Sequence, residues 1–216
     1  MYSHRLFLLF PVFLVLALIS CAPRTVAPPA LDGGVLAVAA FGQPRHGWEH
    51  LSSYRSDHPP LLAPEIMAGL DETLQSLLKD EPGRVVLGPD ATRQCQELAL
   101  SKAKTEGGGL SGLRYWLEVG RCVPADYLLV PQILEWRERE GGKWGVNEPA
   151  MVVLELTLLD VAHQRIARRH HFEESQQSLS EDLLQARKFF RRGGKWLTTQ
   201  ELVRDGLREG LREMSL

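Results

Sequence analysis

The chain predicts an α/β sandwich with a mixed sheet, in the order β-α-β-α-α-β-β-β-α-α, and three features of its patterning predict it. A continuous apolar run at Val35–Phe41 precedes a helical period across Met67–Leu78 and a second short apolar run at Val85–Leu87. That succession makes a β-α-β unit with parallel strands. From Ala125 the apolar period changes to two, the period of strands with alternating faces. The chain then returns to a helical period behind a Thr-x-x-Glu start, so helices are available to cover a sheet.

Each element has its own local reason. Val35–Phe41 lies between Gly34 and Gly42 and suits a central strand buried on both faces. Residues 42–60 are rich in Pro, Gly, Ser and His and form a long loop. Pro64 suits the first turn of a helix whose apolar face is Met67, Leu70, Leu74, Leu77 and Leu78, and Pro82-Gly83 ends it. Arg84–Leu87 is the parallel strand. Asp90 is placed to cap a second helix running to Lys104, with Ala91, Cys95, Leu98 and Ala99 inward. Gly107–Gly109 breaks that helix, and Leu110, Leu113, Trp116, Leu117 and Gly120 share a face of a shorter one.

In the second half, Leu128, Val130, Leu134 and Trp136 fall on one face of a strand that Pro131 pushes toward an edge or a bulge. After a turn region at Gly141-Gly142, Val152, Leu154, Leu156 and Leu158 alternate along the next strand. Residues 160–164 read as a turn, and Arg165–Glu173 as an antiparallel partner solvated on one face, its histidines exposed. A short helix is expected over Glu181–Phe190, then a Gly193-Gly194 break. Thr198-Thr199-Gln200-Glu201 fits a capping box, and Val203, Leu207, Leu211 and Met214 form the stripe of the closing helix. Gly206 and Gly210 flank that stripe, where a helix backbone can approach a sheet closely.

The amino-terminal stretch sets the expected location. Arg5 precedes an uncharged apolar run, Leu6–Ile19, of a length that suits a signal-peptide core better than a permanent membrane span. Its last residues and the next, Leu18-Ile19-Ser20-Cys21, resemble a bacterial lipobox. That resemblance implies removal of residues 1–20 and acylation of Cys21 with fatty chains of the palmitate type. Residues 21–34 then form a flexible tether, and residues 35–216 a single α/β domain outside the cytoplasm. An ordinary secretory signal with an incidental Cys21 is the alternative. Ala22, rather than Asp, resembles lipoproteins sorted to the outer membrane, facing the periplasm.

Charge and cysteines narrow the classes further. Arg5 is the one Lys or Arg before Cys21 and no acid precedes it, so the processed chain carries 24 Lys and Arg against 27 Asp and Glu, net −3. Without a concentrated positive field, no nucleic-acid partner is expected. The basic stretches Arg165–His171 and Arg187–Lys195 are local, with acids beside them. Two cysteines, Cys95 and Cys122, remain after Cys21. In an exported chain such a pair favours a disulfide; two separate buried thiols are the alternative. No Cys-x-x-Cys or Cys-His spacing supports metal ligation by this pair.

The layout resembles a group of envelope proteins: the curli-secretion lipoprotein, the lipoprotein activators of penicillin-binding proteins, and the amino-terminal domain of the Tol–Pal translocation protein. The residues carrying the likeness are Val35–Phe41, Ala125-Asp126-Tyr127-Leu128-Leu129-Val130, Met151–Asp160 and Trp196–Met214. The resemblance implies a non-enzymatic, membrane-tethered domain that binds envelope proteins or its own copies, with no cofactor. One departure is plain. A membrane strand needs about 9–11 alternating residues, and the excursions at residues 42–60 and 137–149 are polar and too short, which disfavours a pore.

The competing enzymatic reading rests on His46-Gly47-Trp48-Glu49-His50, a literal match to the inverted zinc-peptidase pattern. A periplasmic metal-dependent hydrolase would use His46 and His50 as ligands and Glu49 on the bound water. Both histidines must then share a helical face, whereas Pro44 and Gly47 favour a loop, so no catalytic and no metal residue is assigned. His170 and His171 alternate to opposite faces of their strand and do not jointly ligate an ion. Gly107–Gly112 matches neither a nucleophile elbow nor a phosphate loop. Trp48 and Trp144 fall in the two excursions, and with Tyr54 they form the candidate partner-binding patch. A subunit of an oligomeric secretion complex is a third reading.

Overall fold

Strands and helices alternate as the patterning requires in a computed structural model that describes residues 31, 33–46, 49–54, 56, 60–79, 84–106, 111–176 and 193–216. In chain order the elements are β1 (Leu36–Val38), α1 (Pro64–Lys79), β2 (Val86–Leu87), α2 (Pro89–Glu106), α3 (Gly112–Cys122), β3 (Tyr127–Arg137), β4 (Glu140–Gly142), β5 (Gly145–Glu148), β6 (Met151–Asp160), β7 (Arg165–Ser175) and α4 (Thr199–Met214). One mixed sheet runs β2-β1-β3-β6-β7, and β4 and β5 make a separate hairpin. β1 is parallel to both its neighbours, while β3, β6 and β7 are antiparallel. This is the expected α/β sandwich with one hairpin added, where the turn region at Gly141-Gly142 was expected. The predicted helix Glu181–Phe190, the signal segment and Cys21 lie outside the described residues.

Alternation divides the core between two sheet faces. Leu36, Val38, Leu129, Ile133 and the row Val152, Leu154, Leu156, Leu158 pack under Leu70, Leu74 and Leu78 of α1 and Leu202, Val203, Leu207, Leu211 and Met214 of α4. On the other face, Ala37, Ala39, Leu128, Val130 and Leu159 pack under Cys95 and Ala99 of α2 and Trp116, Leu117 and Val119 of α3. Fully burying one such leucine or valine contributes about 1.5–3 kcal/mol, so both layers hold the sheet. The Ala125-Asp126-Tyr127 sequence fastens β1 to β3. The Asp126 carboxylate accepts the Val35 N–H at 2.8 Å, and the Asp126 and Tyr127 N–H groups donate to the Val35 carbonyl at 2.9 and 3.2 Å.

Four local expectations are corrected. β3 is central rather than at an edge, and the other expectation for Pro131, a bulge, is met two residues further on. The Pro131 carbonyl accepts from Gly42 N–H at 3.0 Å, so its nitrogen faces that side too, beyond the end of β1, and the β6 ladder loses no donor. Without that donor β1 stops at Val38, and the chain rejoins β3 only at Gly42, through a bridge to Gln132. A bulge between Ile133 and Glu135 then shifts the parity. Trp136 therefore joins the α1/α4 layer, opposite Leu128 and Val130.

α2 begins at Pro89, leaving Asp90 inside its first turn and paired with Arg93 at 3.4 Å instead of capping. Its inward residues are Thr92, Cys95 and Ala99, while Ala91 and Leu98 are exposed. Thr92 is tolerated inside because its hydroxyl donates to the Pro89 carbonyl at 2.9 Å. His170, expected exposed, is buried under α4, with its Nδ1 2.7 Å from Glu213.

The β6–β7 turn is organised by Asp160, which accepts from the His163 N–H at 3.1 Å and lies 3.2 Å from Arg165. Burial pushes its carboxyl up, but the His163 N–H and ring and the Arg165 charge outweigh this and hold it below the ordinary carboxylate value. A depressed carboxyl stabilises the fold above its unfolded value, and that contribution fades as pH falls through the folded one. The stability difference between wild type and Asp160→Asn is therefore expected to shrink below about pH 4 in urea titrations.

Candidate functional site

On the sheet face that α2 and α3 leave over β6 and β7, the register sets a polar row across three strands. Gln132 of β3 faces Glu155 of β6, and Glu155 faces His171 of β7. Gln132 and Glu155 are buried, Glu155 to 1% exposure. A carboxylate so deep requires partners, and it has two. Arg169 Nε lies 2.9 Å from Oε1, and His171 Nδ1 lies 2.9 Å from Oε2. His171 Nε2 also stands 3.8 Å from Glu173.

The loop after β1 closes over this row. Gln132 donates its amide to the Glu49 carbonyl at 2.8 Å and accepts from Leu51 N–H at 3.4 Å. Arg169 donates to the Leu51 carbonyl, and Leu51 is buried. The Tyr54 hydroxyl donates to Glu135, and its ring lies 5.7 Å from the His171 ring. Glu155 Oε1 is engaged by the Arg169 guanidinium and Oε2 by the His171 ring, so the row clamps the loop. Breaking a buried pair costs more than replacing it whole. Arg169→Met is expected to cost about 3 kcal/mol, and Glu155→Met/Arg169→Met to recover most of that, as urea unfolding would show.

The sequence-derived site residues are dispersed. Glu49 Oε2 accepts from the backbone N–H groups of Arg45 at 2.5 Å and His46 at 3.2 Å, and Glu49 N–H donates back to the His46 carbonyl at 2.9 Å. His46, Glu49 and His50 therefore sit in a loop whose carboxylate is engaged by its own backbone, as Pro44 and Gly47 suggested. Among the described residues, no three His, Cys, Asp or Glu side chains converge as a metal would need. Trp48 lies outside the described residues. Trp144 occupies the turn between β4 and β5, 73% exposed, with Lys143 Nζ 5.3 Å from its ring centroid. No ring contact or hydrogen bond joins it to Tyr54.

A cleft of about 270 Å³ opens beside the clamp, between the Phe41–Pro44 segment, Gln96 of α2 and Tyr115 and Trp116 of α3. Burial first, and then the Glu49 charge, push the Tyr115 hydroxyl up to about 12, so it remains a neutral phenol. Cys95 on α2 and Cys122, the last residue of α3, are joined as a disulfide, with Cα atoms 5.7 Å apart. Sequence reasoning overlooked Gln132, Glu155 and Arg169. The available signal was Glu155 itself, a charge in the middle of a mostly apolar strand.

No protein-family model matches the chain, and no curated protein matches it. Solved structures of similar shape include the PelC dodecamer from Paraburkholderia phytofirmans, at TM-score 0.45 and 14% identity, covering 88% of this chain and 93% of that one. LpoB from E. coli overlaps at TM-score 0.39 and 18% identity, over 69% of this chain and 61% of that one. Lipoprotein GNA1162 from Neisseria meningitidis overlaps at TM-score 0.34 and 12% identity, over 77% and 99%. Overlaps of this depth carry no argument about what the chain does.

Proposed function

We infer that this chain is a lipoprotein of the cell envelope, anchored through Cys21 to the outer membrane and facing the periplasm. It acts there as a non-enzymatic binding or scaffolding module in envelope assembly or secretion. The observation that carries this reading is Leu18-Ile19-Ser20-Cys21 at the end of an uncharged run behind Arg5. The bond between Cys95 and Cys122 supports it, because such bonds persist outside the reducing cytosol. The partner contact is assigned to the aromatic excursions, Trp48 and Tyr54 in the segment between β1 and α1 and Trp144 at the hairpin tip, with envelope proteins as partners.

Mass spectrometry of the protein from its native host tests the anchor. The expected amino terminus is Cys21 carrying fatty acyl groups, and Cys21→Ser should abolish both cleavage and acylation. An intact, unmodified amino terminus in the cytosol would overturn the reading. For the binding surface, Trp48→Ala/Trp144→Ala should abolish crosslinking to envelope partners in cells, and unchanged capture would exclude it. Stoichiometric zinc in the purified protein, lost in His46→Ala, would instead support the hydrolase.

A further inference from the structure

A cavity of about 500 Å³ lies between the last turns of α1 and α4, away from the clamp and the hairpin. Its lining divides by chemistry: Leu77, Leu211 and Leu216 are apolar, Ser215 offers a hydroxyl, and Arg208 and Arg212 supply two positive charges. The arginines are four residues apart, so they lie on one side of α4. Among the described residues Arg208 reaches one acid, Asp205 at 3.9 Å, and Arg212 pairs with none. The Arg212 fork is thus available to an anion, and Arg208 is held only by its 3.9 Å contact with Asp205.

The end of a helix normally repels an anion through its unsatisfied carbonyls. Here they are largely occupied. Leu216 N–H donates to the Leu211 carbonyl at 2.9 Å, Ser215 N–H donates to the Arg212 carbonyl at 3.2 Å, and Arg168 donates to the Met214 carbonyl. Other cations share this pole. Lys79 closes α1, and Arg84 stands near enough to Arg168 to oppose its charge, adding to the effect of burial on that guanidinium.

The chain also arrives here. Leu31 packs against the α1/α4 core, and Val35 is held by Asp126 at the start of β3. Residues between Cys21 and Gly34 reach at most about 45 Å when fully extended, so a membrane holding Cys21 would lie within range of this pole. That last step rests on the anchor proposed above.

We propose that the cavity between the carboxyl-terminal turns of α1 and α4 binds the anionic headgroup of a membrane phospholipid. Arg208 and Arg212 hold the phosphate, and Leu77, Leu211 and Leu216 take the first acyl carbons. The contact orients the domain with β1 and β2 starting at the bilayer and the β4–β5 hairpin directed away from it.

The test uses the protein isolated from its host in a non-ionic detergent, followed by native mass spectrometry with added phosphatidylglycerol or phosphatidylcholine. One phosphatidylglycerol is expected to remain bound, with retention at least tenfold above phosphatidylcholine. Arg208→Gln/Arg212→Gln should lose that preference while its circular dichroism and melting stay unchanged. Equal retention of the two lipids, or an unaltered preference in the double variant, would overturn the proposal. Inorganic phosphate displacing the lipid at equal concentration would also overturn it, because the apolar floor would then contribute nothing. The mass of the amino-terminal peptide in the same sample reports the anchor separately, so loss of one reading is distinguishable from loss of the other.

Discussion

Gly206→Ala/Gly210→Ala is expected to cost about 4 kcal/mol of stability, roughly 3 kcal/mol of overpacking at each site less about 1 kcal/mol of regained helix propensity. A Cβ at Gly206 would stand 2.6 Å from Phe172 Cδ1, and one at Gly210 would stand 2.6 Å from both His170 Cδ2 and Leu156 Cδ1. These atoms belong to buried side chains on β6 and β7, so α4 must lift off the sheet to make room. Gly69 provides the opposite result from the same chemistry. It lies within α1 with nothing inside 4 Å of its missing Cβ, so Gly69→Ala should stabilise the fold by about 1 kcal/mol. Urea unfolding of both variants decides the matter. Equal effects of either sign would show that propensity, not the seating of α4, governs these glycines.

Removing the disulfide should have an effect of similar size. Cys95 and Cys122 are 27 residues apart, and a loop of that length corresponds to about 3–4 kcal/mol in the chain-entropy model. For a chain of this size, that is a fall in melting temperature on the order of 10 °C. The loss should concentrate on α2, whose inward side chains are the small residues Thr92, Cys95 and Ala99 and which therefore buries little apolar surface. Among the described residues its polar ties to α3 are weak: an exposed ion pair, Lys102 to Glu118 at 3.2 Å, of little value in water, and a long bond from the Tyr115 hydroxyl to the Gln96 carbonyl at 3.5 Å. Cys95→Ala/Cys122→Ala should accordingly show faster hydrogen exchange in α2 while β3 and β6 remain protected. Uniform acceleration across the sheet would mean that the bond supports the whole domain.

The amino-acid pattern determined the elements wherever one local signal dominated. Met67–Leu78 repeats at helical spacing and became α1, Val152–Leu158 alternates and became β6, and Thr198 with Glu201 closes a capping box at the start of α4. The glycine pair beside the α4 stripe was also legible, because two missing side chains on one helix face announce a close approach. What failed were positions decided by a neighbour distant in sequence. Pro131 reads as an edge or bulge signal, and its strand is central because β1 ends just where the missing donor would be needed. Trp136 changes layers because a bulge inserts one residue, and Pro131 suggests a bulge in this strand without fixing where it falls.

The site shows the same division. The anchor signal and the exposed Trp144 are written in short segments and need no fold to be noticed. The row Gln132–Glu155–His171 exists only once three strands are in register, and its clamp on the loop only once Leu51 folds over it. Periodicity thus determined which faces turn inward, since burial of apolar area is a local tally along each element. Tertiary structure alone decided which polar groups meet, because a buried charge is stable only beside partners that the chain brings from far away.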